Sequence, residues 1–235
     1  MTDQIVKSFL NLKPSDDRVF IFDIDSTLYD VTPRNQQIVR HFGQTKELDF
    51  DLKIMLQNFD SKSEDWGIKP GLMRLKLNSL SHDLVKAIKN HWDTHFFSKD
   101  FLHLDQEYPG AVHFLQKLDE LSSVYYLTGR DQERMGEGTY EQLKASRFPM
   151  DPQRNKLILK PDKGLLDHTY KLEELMKLQD KFQEIHFFEN EPVILNAVYD
   201  QAPQIKLYYI DSVNSGRAEI YPHIQKIKPI YTLGE

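Results

Sequence analysis

The sequence predicts an α/β fold, a parallel sheet with helices on both faces and a large helical insertion. Three observations carry this reading. Short apolar runs at Val19 to Phe22, Val124 to Leu127, Leu157 to Leu159, Ile185 to Phe188 and Lys206 to Ile210 read as five strands buried on both faces. From Val124 onward these runs alternate with amphipathic helical stretches. Between Pro33 and about Tyr108 the strand signal disappears, and apolar residues recur three and four apart.

Taken in order, Ile5, Val6, Phe9 and Leu10 have helical spacing, and Pro14 to Asp17 form a turn into the first strand. After that strand, Thr32 and Pro33 predict a helix start, with Thr32 as the cap. Gln36 to Phe42, Phe50 to Phe59, Leu72 to Leu80 and Leu84 to Phe97 are the helices expected in the insertion, the last capped by Ser81. Tyr108-Pro109-Gly110 returns the chain to the main body, followed by a helix over Ala111 to Leu121. Gly136-Glu137-Gly138 should interrupt a polar stretch ahead of a helix at Tyr140 to Ser146. Thr169 is expected to cap the next helix, and a further one covers Val193 to Tyr199. The tail from Tyr221 reads as irregular.

The length of 235 residues suits a core domain with a sizeable insertion, and 40% hydrophobic with 28% charged residues is an ordinary globular balance. A net charge of −6 argues against a dominant nucleic-acid or anionic-membrane surface. The absence of cysteine excludes disulfides, thiolate metal sites and a cysteine nucleophile. Met1 to Leu12 lack the apolar core of a signal peptide, and nowhere do roughly 18 apolar residues run together. The expectation is a cytoplasmic protein with neither nucleic-acid nor membrane partners; its oligomeric state is not legible.

The chemistry concentrates where strands end. The first strand stops at Asp23-Ile24-Asp25-Ser26-Thr27. Residues two apart on a strand point the same way, so both carboxylates converge beyond its carboxyl end, where open α/β sheets bind ligands. Two acids so close repel one another, and a hard divalent cation is the usual neutraliser. One is then free to attack an electrophile while the other moves a proton. Four of the five strands end in polar or charged residues at this same edge.

Asp23-Ile24-Asp25-Ser26-Thr27 resembles motif I of the haloacid dehalogenase-like superfamily, and Leu127-Thr128-Gly129-Arg130 resembles its motif II. Lys171 fits the motif III lysine, with Lys160 as its rival, and Phe187-Phe188-Glu189-Asn190 stands where the acidic motif IV belongs. The resemblance implies a Rossmann-like five-stranded sheet in the order 5-4-1-2-3. It also implies a core domain over residues 1–32 and 109–235, and a helical cap over 33–108.

It further implies a Mg²⁺-dependent phosphatase acting on a small phosphorylated substrate. Asp23 would form an aspartyl-phosphate and Asp25 would be the general acid/base. Thr128 and Gly129 would hold the phosphoryl oxygens, and Lys171 would neutralise charge. Arg130 and Lys160 are candidate substrate contacts. Metal ligands would be Asp23, the main-chain carbonyl of Asp25 and either Glu189 or Asn190. Motif IV departs from the usual aspartate pair, which leaves open a non-catalytic binding module of the same fold. A phosphomutase, a phosphonatase and a polynucleotide-end phosphatase are further alternatives. Substrate choice would lie in the insertion, where Arg34, His41, His91, Trp92 and His95 are among the residues that could line a pocket.

Overall fold

The computed structural model describes residues 2–75 and 81–231. The five expected strands are β1 (Arg18–Phe22), β4 (Ser123–Asp131), β5 (Lys156–Lys160), β6 (Glu184–Glu189) and β7 (Lys206–Ile210). With β8 (Gln225–Ile227) they form one parallel sheet in the order β5-β4-β1-β6-β7-β8. The five lie in the implied order, and β8 extends the edge. β8 corrects the expectation of an irregular tail. Three residues between prolines give too short a pattern to read, yet Ile227 is fully buried against the sheet.

Alternate residues of β1 serve two cores, as the pleat requires. Phe20 and Phe22 join Val6 and Phe9 of α1 (Thr2–Phe9), Phe114 and Leu118 of α6 (Ala111–Asp119) and Leu143 of α7 (Gln132–Ala145). Val19 and Ile21 face Leu172 and Leu175 of α8 (Asp167–Leu178) and Leu195 and Val198 of α9 (Pro192–Gln201). The sheet is thus sandwiched, and β1 sits at its centre.

The insertion holds α2 (Thr32–Thr45), α3 (Phe50–Gln57), α4 (Lys69–Arg74) and α5 (His82–Phe96) around a third apolar cluster that includes Val39, Leu56, Phe59 and Ile88. The end of the helix expected at Leu72 to Leu80 lies outside the described residues from 76 on. Where the chain leaves and re-enters the core, β2 (Tyr29–Asp30) and β3 (Gln106–Glu107) pair antiparallel, a ribbon too short to announce itself in sequence.

Three local expectations are corrected. α2 starts at Thr32 itself, and the Asp30 carboxylate accepts from the Thr32 amide at 2.8 Å. α8 starts at Asp167, so Thr169 lies inside its first turn. α7 runs straight through Gly136 and Gly138. A Cβ on Gly138 would stand 2.5 Å from Lys99 Cβ, so that glycine permits close packing instead of ending the helix. Ser81 does cap α5, its hydroxyl accepting from the Leu84 amide at 3.3 Å.

Candidate active site

The register brings the strand ends together. Phe22 is level with Tyr126 of β4 and Phe188 of β6, so Asp23, Thr128 and Glu189 emerge at one edge. Just beyond β1 the chain turns sharply. Ser26 adopts φ 59°, a left-handed conformation costly for a residue with a side chain, and its amide donates to Tyr29 O at 2.8 Å. The tail secures this turn, since the buried Tyr231 hydroxyl donates to Thr27 O at 2.7 Å. A cleft of about 400 Å³ opens over the strand ends; Asp23, Asp25, Thr128, Gly129, Lys160, Lys171, Glu189 and Asn190 all line it.

Asp23 and Glu189 share one cation. Lys171 Nζ donates to Asp23 Oδ1 at 2.5 Å and to Glu189 Oε2 at 2.7 Å, all three side chains being nearly inaccessible. The Asp23 carboxylate also accepts from the Ile24 amide. Burial, only partly offset by Lys171, raises the Asp23 carboxyl above its ordinary value. Burial and the Asp23 charge push Glu189 up to about 8. Two acids against one lysine leave the floor of the cleft short of positive charge.

Asp25 lives in the opposite surroundings. Arg130 grips its carboxylate with two N–H groups, Nε at 3.0 Å and Nη2 at 2.7 Å, while Arg34 Nη2 adds a third contact at 2.5 Å. Burial alone would raise Asp25, but the Arg130 and Arg34 charges outweigh it and hold the carboxyl well below the usual range. Arg34 comes from α2, lies 4.0 Å over the Phe96 ring of α5 and pairs with buried Asp105 at 3.0 Å. Asp25 therefore ties the core to the helical insertion.

The remaining candidates sort by their bonds. Arg130 also donates to Thr139, Gln142 and Asp105, so all five of its N–H groups are committed. In this conformation it has no donor left over for a phosphate. Lys160 bonds Leu165 O and the Asp167 carboxylate, whereas Lys171 is the lysine on Asp23. Gly129 admits that Asp167 carboxylate; a Cβ there would come within 2.9 Å of it. The Thr128 hydroxyl accepts from the Arg130 amide at 3.3 Å, and its own proton is free to point elsewhere.

Glu189 Oε1 accepts from the Asn190 and Glu191 amides at 2.9 and 3.0 Å, and its Oε2 holds Lys171. Asn190 is anchored through Nδ2 to Val213 O, and among the described residues its Oδ1 takes only a long 3.3 Å bond from Thr27. The donor set on this charge-deficient floor suits a hard cation, and the oxygens that could hold it are those of Asp23, the Asp25 carbonyl and either Asn190 Oδ1 or Glu189, which also holds Lys171.

Sequence reasoning named Trp92 as a pocket candidate but missed Asp105 and Gln142, which complete the Arg130 network, and Trp66, Phe96 and Phe97, which join Trp92 in an apolar wall. Nothing in local spacing links these positions to the strand ends. Only the fold does.

No family model and no curated protein sequence matches the chain. Solved structures do. A haloacid dehalogenase-like hydrolase of Burkholderia xenovorans superposes with a TM-score of 0.55 at 14% identity, over 92% of this chain and 96% of that one. A HAD-hydrolase of Bacillus subtilis, solved bound to magnesium, gives 0.52 at 14% identity, over 91% and 95%. Protein Tyrosine Kinase A of Mycobacterium tuberculosis gives 0.55 at 11% identity, over 91% and 94%. The chain shares the Rossmann-like α/β fold of these proteins.

Proposed function

We propose that this chain is a Mg²⁺-dependent phosphatase of small phosphomonoesters, working through an aspartyl-phosphate on Asp23. The observation that carries the reading is the pairing of a Lys171-bound Asp23 at the floor of the cleft and a second carboxylate two residues on in a different electrostatic setting. Mg²⁺ held by Asp23, the Asp25 carbonyl and Asn190 would supply the missing positive charge and favour the ionised nucleophile.

In the first step Asp23 Oδ2 attacks phosphorus, and the bond to the leaving oxygen breaks. Thr128 and the Gly129 amide donate to the phosphoryl oxygens, and Lys171 offsets their charge. In the second step water attacks the same phosphorus, gives its proton to Asp25, and the bond to Asp23 breaks, releasing phosphate. Asp25, held ionised by Arg34 and Arg130, suits the base role better than the acid role. Substrates whose leaving oxygen needs little protonation are therefore favoured, phenolic esters first. The four aromatic side chains along the cleft suit the same class.

Steady-state hydrolysis of p-nitrophenyl phosphate and of a simple alkyl phosphate, each with and without Mg²⁺, tests this. The reading expects Mg²⁺-dependent turnover that prefers the aryl ester and disappears in Asp23→Asn. Turnover equal in Asp23→Asn and the parent would refute it. No turnover across a broad panel of phosphoesters would favour the non-catalytic binding module.

A further inference from the structure

Away from the strand ends, three histidines meet in the helical insertion. His41 comes from α2; His91 and His95 stand one turn apart on the same face of α5. Their nearest ring nitrogens all lie within 4.8 Å of one another, and His41 Nδ1 is 3.1 Å from His91 Nε2. In a tetrahedral site with bonds of 2.0–2.1 Å, ligand nitrogens stand roughly 3.3 Å apart. One edge of such a site is nearly in place, and small rotations of half-exposed side chains supply the rest.

Proton counting shows why packing alone serves this cluster poorly. A neutral imidazole has one donor and one acceptor nitrogen. The contact between His41 and His91 uses one of each. His95 Nδ1 is buried with no hydrogen-bond partner among the described residues, and its nearest carboxylate, Asp100, stands 3.7 Å away. Burial and the neighbouring imidazoles push His91 down to about 4 and lower His41, so both rings carry lone pairs at neutral pH. Lys46 also disfavours their protonation, and only Asp100 favours it, at His41. His95 Nδ1 is thus left unpartnered in a cluster whose three rings each bring a nitrogen within 4.8 Å of the others.

We propose that His41, His91 and His95 bind a borderline divalent cation of the zinc class, with Asp100 or water as the fourth ligand. Imidazole nitrogens select zinc-like ions over the oxygen-seeking Mg²⁺, so this site is separate in residues and in chemistry from the strand-end site. The ion would brace α2 against α5. That brace has work to do, because among the described residues Ile88 alone of α5 is buried. Both helices also present side chains to the cleft, Asn35 from α2 and Trp92 and Phe96 from α5.

The test uses the full chain, stripped with chelator and dialysed against micromolar zinc in millimolar Mg²⁺, with metal content read by atomic emission. The expected result is one zinc per chain in the parent and in Asp23→Asn. His91→Gln and His95→Gln should each bind roughly a hundredfold or more weakly, since losing a ligand costs at least as much as losing a ligand's supporting partner. Zinc should also raise the melting temperature of the parent but not of His91→Gln. Cobalt in the unmutated chain gives an independent reading, an intense four-coordinate d–d spectrum being expected. Failure to retain zinc, equal retention by both histidine variants, or a pale six-coordinate cobalt spectrum would overturn the proposal. None of these outcomes bears on phosphatase activity.

Discussion

Asp23 and Asp25 leave the same strand two residues apart, yet they stand in opposite fields. Asp23 shares a single lysine with a second buried acid and is pushed toward its protonated form. Asp25 is gripped by two guanidinium groups and held ionised. Environments that drive neighbouring carboxyls apart mark different tasks. The lesson is that motif spacing sets where the pair points, while distant residues set what each member can do. Arg34 lies in the insertion, Arg130 on β4 and Lys171 on α8, and none of these assignments follows from the five residues of the motif.

The sharpest way to break this division is to neutralise each acid in turn. Asp23→Asn should abolish turnover, by on the order of 10⁴-fold or more as for other lost nucleophiles, and should release no burst of phenol from an aryl phosphate. Its melting temperature should hold or rise, because a disfavoured buried charge is removed while Lys171 keeps Glu189. Asp25→Asn should behave differently. Rapid mixing should show a burst of about one equivalent of phenol, then steady-state turnover roughly 10²–10⁴-fold slower, since only the second step loses its base. Two variants without any burst would merge the roles assigned here.

Lys171→Met would leave Asp23 and Glu189 facing each other without a cation. Urea denaturation should show a loss of roughly 3–5 kcal/mol. Acids whose folded values lie above their unfolded ones stabilise at low pH and lose that stability as pH rises. The defect should therefore shrink on acidification. A defect independent of pH would mean that the two acids are not coupled through the lysine.

The smallest effect concerns Arg34→Met. Removing one of the two cations on Asp25 lets its carboxyl rise toward the ordinary value, so the acid limb of the kcat profile should move to higher pH. By the same sign, Asp25 contributes stability above its unfolded value of 3.8, lost as pH falls below it, and the variant should lose that contribution at higher pH than the parent. An unmoved acid limb would remove Asp25 from the rate-determining proton transfer.

Much of the fold was legible because burial on both faces leaves an unmistakable pattern, as in Val19 to Phe22. Elements of two or three residues were not. β2, β3 and β8 take their structure from partners far along the chain, and no local period reveals Gln225–Ile227. Glycine misled where close approach outweighed its helix-breaking tendency, at Gly138 beside Lys99. At the site, Asp23 and Glu189 were readable as strand ends, whereas the run expected to stop at Leu127 continues to Asp131 and places Thr128 where the pairing of β4 with β5 shifts register. Arg130 was visible as a residue but not in its use, because Asp25, Asp105, Thr139 and Gln142 reach it only in three dimensions.

The central claim is that Asp23 takes the phosphoryl group. The direct measurement is acid quenching of Asp25→Asn during turnover of an aryl phosphate with Mg²⁺, followed by proteolysis and mass spectrometry of the peptide spanning the end of β1. A phosphoryl adduct on Asp23, absent when Asp23→Asn is added to the same chain, is the predicted result. An adduct on any other residue, or continued phenol release with no adduct, would contradict the account.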